Sequence, residues 1–386
     1  MDKQHILVIP YPEQGHVIPL MELAQSLAKY GFKITFVISE STHKRILNSL
    51  SEKNILHDQI NLISVLDESE SGEDKTMPGK IFEAIFKFMP GKIEKLIQEK
   101  NASEDEKITC VIADQSFGWA LELATKLGIK KAAFITAAAA NLVLGFNIPR
   151  LINDGIIDSD ARAFKLAQMI VPIGPLLSRN SLESSTFPLE TYSDVSSKES
   201  STSPARSLRS EDSTCLNWLD QQPLCSVVYI SFGSFTVFNE SQFQELALGI
   251  ELSNKPFLWV VRTNATYAKI DIFLKHFMNR IGRQKGKIVS WAPQRSHCGW
   301  NSTIEAISNG VPIFYICDIW KVGVGLKKGD NGIITCGEIM DKVKQLLKND
   351  AYKKRALQLK KITTSSVKEG GRSHQNLINF IEWIKS

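Results

Sequence analysis

Residues 6–31, ILVIPYPEQGHVIPLMELAQSLAKYG, carry a strand, a turn and a helix in one stretch. Ile6 to Ile9 form a short apolar run ended by Pro10, which is the composition of a buried strand. Val17, Leu20, Met21, Ala24, Leu27 and Ala28 then recur at helical spacing, with Pro19 near the start and Gly31 closing the end. The same alternation continues outward. Apolar runs at Ile34 to Ile38, Ile60 to Val65, Ile108 to Ala113 and Ala132 to Ile135 are separated by helix-like patterns, a rhythm that predicts a parallel sheet covered by helices.

From about Ser178 to Ser213 the chain is dominated by Ser, Thr, Glu and Asp, too polar to bury a core, and this segment reads as a linker. The rhythm restarts with a strand Val227 to Phe232, a helix around Phe243, Leu246, Ala247 and Ile250, a strand Phe257 to Val261 and a short strand Lys287 to Ser290. Ala351 to Lys385 has helical periodicity and ends in Phe380, Trp383 and Ile384, a helix expected to dock back on the body. The expected organisation is α/β with an acceptor-binding domain over 1–177, a Ser-rich linker over 178–213, a donor-binding domain over 214–370 and a C-terminal helix over 371–386 that packs on the first domain.

Composition narrows the function classes. The chain has 386 residues, 43% hydrophobic and 23% charged, enough for two domains of a soluble protein. Lys and Arg number 46 against 41 Asp and Glu, and no basic run interleaved with aromatics would track a nucleic-acid backbone, so nucleic acid is not an expected partner. Six cysteines are scattered without a C-x-x-C pair, which suggests neither a zinc site nor a disulfide framework and fits a reducing cytoplasm. The N-terminal apolar run is too short for a signal-peptide core. The stretch from Ala132 to Phe146, broken by Thr136 and Asn141, falls short of the ~18 residues a membrane span needs and reads as a strand followed by a buried helix. Neither a P-loop nor a G-x-S-x-G elbow is present, and the turn from Pro10 to His16 has one glycine rather than the G-x-G-x-x-G of a dinucleotide site.

In an open parallel sheet, ligands bind outside the carboxyl ends of the strands, so the residues just past each strand carry the chemistry. His16 lies at the first strand-to-helix turn and Asp114 directly follows the strand ending at Ala113, which points both at one cleft. An imidazole can take a proton at neutral pH, and a carboxylate behind it fixes its tautomer and stabilises the imidazolium. The alternative reading is that each merely caps a helix. In the second half, Trp291-Ala292-Pro293-Gln294 follows a strand and the run from His297 to Glu305 opens a helix. N–H groups at a helix start, with His297, Asn301 and Ser302 beside them, suit a diphosphate, and Trp291 offers a face for a base.

These residues resemble the plant secondary-product UDP-glycosyltransferase family. The matches are Gly15 to Pro19, Ile173-Gly174-Pro175-Leu176, Trp218-Leu219-Asp220, Ser231-Phe232-Gly233-Ser234 and the region from Trp291 to Pro312. The resemblance implies the GT-B fold, two Rossmann-like domains facing a cleft, and sugar transfer with inversion and without a metal. It implies His16 as general base with Asp114 as its partner, Trp291 and Ala292 on the uracil, Gln294 and Glu305 on the ribose, and His297, Ser234, Asn301 and Ser302 on the diphosphate. Trp300 would lie near the sugar. The implied partners are a UDP-sugar co-substrate, with glucose favoured, and a small apolar acceptor such as a flavonoid, another phenolic or a terpenoid; no other cofactor is implied, and a monomer is expected.

The chain departs from the family at three junctions. Only Arg295 and Ser296 separate Gln294 from His297, where relatives carry a helix and a buried strand. After Phe314 the family's Asp-Gln pair for the sugar hydroxyls is skipped, and near Asp160 and Ala161 a late part of the first domain is absent. Sheet strands are therefore expected to be missing, and the competing reading is a non-catalytic remnant that binds nucleotide weakly or not at all. Folded domains have only about 5–15 kcal/mol of net stability, so the shortened chain is expected to melt below a full-length relative and to turn over weakly; matching melting curves for the two proteins would refute the first expectation.

Overall fold

The computed structural model describes residues 4–12, 14–39, 58–66, 78–136, 214–223, 226–232, 238–261, 268–282, 284–290 and 321–386. Residues 178–213 and the junctions at 160–161, 295–296 and 314–315 lie outside them. The chain divides into two compact units, Met1–Leu208 with Ser366–Ser386, and Arg209–Ser365.

The first unit is built on five parallel strands in the order β3-β2-β1-β4-β5. They are β1 (His5–Ile9), β2 (Lys33–Ser39), β3 (Ile60–Leu66), β4 (Ile108–Asp114) and β5 (Lys130–Phe134). Strand β1 is buried along its whole length because helices cover both faces of the sheet. Ile6 and Val8 face one cluster with Val17, Leu20, Met21 and Leu27 of α1 (Gln14–Lys29). Leu7 and Ile9 face the other with Met89, Ile93 and Ile97 of α2 (Pro78–Asn101) and Ala120 and Ala124 of α3 (Gly118–Lys126). Gly31, at φ 88°, turns the chain out of α1 in a conformation that glycine adopts without strain.

Strand β5 begins two residues earlier than the apolar run from Ala132 suggests. Lys130 and Lys131 pair with Cys110 and Val111 of β4, because a long lysine stem can lie along the sheet while its charge reaches a polar partner. The partner of Lys130 is a helix end. The C-terminal periodic segment is two helices, split at Gly370 (φ 78°) into α8 (Asp350–Val367) and α9 (Arg372–Lys385), and Ser366 and Ser373 hydroxyls bridge the break at 2.9 Å. Ile381 and Ile384 of α9 are buried in the same cluster as α1. Lys130 Nζ donates to the carbonyls of Trp383 (3.1 Å) and Ile384 (3.3 Å), placing a cation at the negative end of the helix.

The amino end of this sheet is tied by charge. Glu106, in the short 3-10 turn before β4, accepts from Lys100 at 2.7 Å and from Lys33 of β2. Hydrogen bonds from Lys100 and Lys33 hold its carboxyl at about 2, far below the ordinary glutamate range. Beside it the buried ring of His5 spans the Glu106 carbonyl and the Thr35 hydroxyl, each at 2.8 Å, and burial pushes its pKa down.

The second unit shows three parallel strands among its described residues, in the order β6-β7-β8: β6 (Val228–Ile230), β7 (Phe257–Val260) and β8 (Gly286–Val289). β6 is shorter than the Val227 to Phe232 run suggests because its ladder spans only the three residues paired with β7. On one face, Phe257 and Trp259 pack with Phe243 and Ile250 of α5 (Glu240–Ser253) and Phe277 of α6 (Ala268–Ile281), Phe243 stacking on Trp259 at 4.8 Å. On the other, Leu258, Val260 and Val289 meet Cys215 and Trp218 of α4 (Thr214–Asp220). Helix α5 also pins the chain that leads into α7 (Cys336–Lys348). The Gln242 amide exchanges two hydrogen bonds with the Ile334 backbone, both 2.9 Å, and Glu245 accepts from Cys336 N. Gly249 lets α7 come this close, since a Cβ there would sit 2.7 Å from Ile339 Cβ.

Two outcomes follow. Gly249→Ala forces α5 and α7 apart and costs about 1–3 kcal/mol of stability, read by urea unfolding; an unchanged midpoint would refute the contact. Because the folded-state value of Glu106 is depressed, its contribution is complete above the ordinary glutamate range and is lost as pH falls from about 4.5 toward 2. Glu106→Gln is expected to flatten the stability–pH curve over that window and to leave the separate loss below about 6.5, set by His5, in place.

Candidate active site

The register of the first sheet brings together residues far apart in sequence. β1 lies beside β4 with Val8 opposite Ile112 and Ile9 opposite Ala113, so the carboxyl ends of the two strands are neighbours. His16 sits in the first turn of α1, just beyond β1, and Asp114 is the last residue of β4. Their side chains meet, with His16 Nδ1 2.6 Å from Asp114 Oδ2.

Asp114 is fully buried and uses both carboxylate oxygens. Oδ2 faces His16, and Oδ1 accepts from the backbone N–H of Ser116 at 2.9 Å, an Asx turn that fixes the side chain at the strand end. Asp114 does not cap α3, whose N-cap position is Phe117 without a side-chain cap bond. A carboxylate at Oδ2 requires Nδ1 to carry its hydrogen, because a lone pair facing it would repel. Nε2 then holds the lone pair, and the side chain of His16 is 25% exposed. The pair can therefore accept a proton at Nε2 while Asp114 stabilises the resulting imidazolium.

Apolar rings frame this imidazole. Tyr11, in the loop after β1, lies 5.3 Å from the His16 ring, and Phe117 lies 5.8 Å from Tyr11. Phe86 and Trp119 pack on Phe117 at 5.9 and 5.4 Å. Thr136, two residues past β5, places Oγ1 3.2 Å from the same Nδ1. Sequence reasoning did not single out Thr136, Ser116 or Tyr11. The apolar run from Ala132 to Ile135 already ends directly before Thr136, but a neutral hydroxyl there gives no signal of a role.

Of the residues named by sequence, His16 and Asp114 are brought together. Ser234, Trp291, Ala292, Gln294, His297, Trp300, Asn301, Ser302 and Glu305 lie outside the described residues. Among the described residues, no group of His, Cys, Asp and Glu is arranged to hold a metal ion, and no helix is long and apolar enough to cross a membrane.

No protein-family model matches the chain. Among solved structures, Os79 from O. sativa in complex with UDP matches with a TM-score of 0.76 at 22% identity, covering 98% of this chain and 100% of that one, which gives the two-Rossmann-domain fold. Flavonol 7-O-beta-glucosyltransferase UGT74F1 of Arabidopsis thaliana is 27% identical over 456 residues, 99% of this chain and 98% of its own. UDP-glycosyltransferase 83A1 of Arabidopsis thaliana is 36% identical over 481 residues, covering 100% of this chain and 98% of the relative. The 481 aligned positions exceed the 386 residues present here, so the relative carries residues without a counterpart in this chain. With that identity along its whole length, and a histidine–aspartate pair at the strand ends of a Rossmann-like sheet, the chain belongs to the plant UDP-glycosyltransferase family.

Proposed function

We propose that the protein transfers a sugar, glucose in the first instance, from a UDP-sugar to a hydroxyl of a small apolar acceptor, with inversion at the anomeric carbon. The observation that carries this reading is the 2.6 Å contact between His16 and buried Asp114, which leaves Nε2 as the free base. In the reaction, Nε2 takes the acceptor's hydroxyl proton as the acceptor oxygen attacks the anomeric carbon. The bond from that carbon to the UDP oxygen breaks, and UDP leaves with the electron pair. Asp114 holds the ring and offsets the positive charge that His16 gains.

Donor roles rest on the sequence match. Trp291 and Ala292 would take the uracil, Gln294 and Glu305 the ribose, and Ser234, His297, Asn301 and Ser302 the diphosphate, with Trp300 near the sugar. The N–H groups of a helix start favour the charge that grows on departing UDP. A flavonoid or another phenolic is the favoured acceptor class, supported by the ring of Tyr11 beside His16 and by a flavonol glucosyltransferase among the relatives. Scattered cysteines, with Cys110, Cys215 and Cys336 outside any disulfide, support a reducing, cytoplasmic setting.

A second reading, a non-catalytic remnant, is favoured by one observation: the relative's residues that have no counterpart here. The two readings separate on one experiment, in which purified protein is incubated with UDP-glucose and a panel of phenolics and products are read by mass spectrometry. Glycoside is expected from the wild type and roughly 10²–10⁴-fold less from His16→Ala, the usual size of a general-base contribution. Asp114→Asn is expected to fall between them, because the amide holds the ring without the compensating charge. Equal product from wild type and His16→Ala would remove His16 from the mechanism, and none from the wild type would favour the remnant.

A further inference from the structure

Thr136 is a neighbour of the His16–Asp114 pair that the reaction scheme leaves without a role. Its hydroxyl oxygen lies 3.2 Å from His16 Nδ1, the nitrogen that also contacts Asp114 Oδ2 at 2.6 Å. An imidazole nitrogen carries one hydrogen at most, so both oxygens share it. Were Thr136 instead donating to Nδ1, the ring hydrogen would sit on Nε2, and a lone pair would face a buried carboxylate oxygen at 2.6 Å. The arrangement therefore makes Thr136 Oγ1 an acceptor.

We infer that Thr136 is a positioning residue for His16, a second acceptor that fixes the swing of the imidazole and so aims Nε2. The inference rests on the proposed role of His16 as base. Rotation about χ2 of histidine is soft, and one acceptor leaves the ring free to swing about the line from Nδ1 to Oδ2. A second acceptor on a different strand removes that freedom. The strand register holds it there: Phe134 pairs with Asp114, and Gln115 N donates to the Phe134 carbonyl at 3.0 Å, so the chain that leaves β5 is tied beside the chain that leaves β4. Thr136 reaches Nδ1 two residues later. When Nε2 takes a proton, the Nδ1–H becomes more acidic and both acceptors bind it more strongly, so Thr136 shares with Asp114 the stabilisation of the cation.

The test does not depend on turnover. In the full chain labelled with ¹⁵N-histidine, the ring signals of His16 are assigned by their loss in His16→Ala and followed through a pH titration. The wild type is expected to show the Nδ1–H tautomer. Thr136→Val, which keeps the shape but not the oxygen, is expected to move the protonation midpoint down by about half a pH unit, roughly a threefold loss of proton affinity. Thr136→Ser restores the oxygen and is expected to return the midpoint toward wild type. If Thr136→Val does not fold by its melting curve, Thr136→Ala is titrated in its place. The same midpoint with and without the hydroxyl overturns the inference, whether or not the chain makes glycoside. Where the wild type is active, Thr136→Val is expected to lower kcat by about tenfold, to leave KM within about twofold, and to shift the acid limb of the rate profile to lower pH. An unaltered kcat and acid limb also overturn it.

Discussion

A buried carboxylate is tolerated only when its charge is met, and the carboxyl end of the first sheet is arranged around meeting that of Asp114. Its side chain is fully buried, and its two oxygens are taken by the Ser116 amide and the His16 ring. Breaking such a pair by removing one partner costs on the order of 3–5 kcal/mol, because the charge left behind has no water to turn to. The demand reaches back through the fold. His16 can serve only if α1 starts directly after β1, and β1 can serve only if it lies beside β4 in the register that sets Ile9 against Ala113. The proposed catalytic geometry and local stability thus draw on one contact.

Much of this was legible because the controlling signals are local. The apolar run at Ile6 to Ile9 and the helical spacing from Val17 to Ala28 announce β1 and α1, and the residues in question are buried as that spacing requires. The four positions around Phe243 fix α5 for the same reason, all lying in one cluster. Strand ends were harder. Lys130 belongs to β5 although nothing in a lysine pair suggests a strand, since its reason for being there is a helix end more than 250 residues later. The break at Gly370 falls at the boundary drawn between 214–370 and the C-terminal helix over 371–386, where a glycine at positive φ can turn the chain between two helices. Of the site, His16 and Asp114 could be read from their place after strands. Thr136 could not, since a neutral hydroxyl after a strand carries no signal of its own and only the contact with His16 Nδ1 singles it out.

The two Lys contacts to Glu106 and the ring of His5 tie the amino ends of the strands as Asp114 ties the carboxyl ends. At the amino end two titratable groups are each held in one protonation state by the elements that they join: Glu106 as a carboxylate between β2 and the end of α2, His5 as a neutral ring between β2 and the turn before β4. The strands between them are apolar and could slide by two residues without changing the face that each side chain presents. Polar ties at both ends penalise such a slip, because it would leave buried His5 and Asp114 without their partners. The register that aligns Asp114 with His16 is in this sense set from both ends of β4.

The helix that completes this unit arrives last in the sequence. Ile381 and Ile384 of α9 enter the cluster formed by Ile6, Leu20, Ala24, Ile34 and Phe36, and the Lys130 ammonium closes the helix end against β5. Until residues 372–385 have been made, that apolar surface has no cover from α9, so the first 136 residues cannot reach their final stability alone. β5 is the strand that α9 grips through Lys130, and it is also the strand from which Thr136 extends to His16. Anchoring one end of β5 with the last helix therefore steadies the other end, where the imidazole must be aimed.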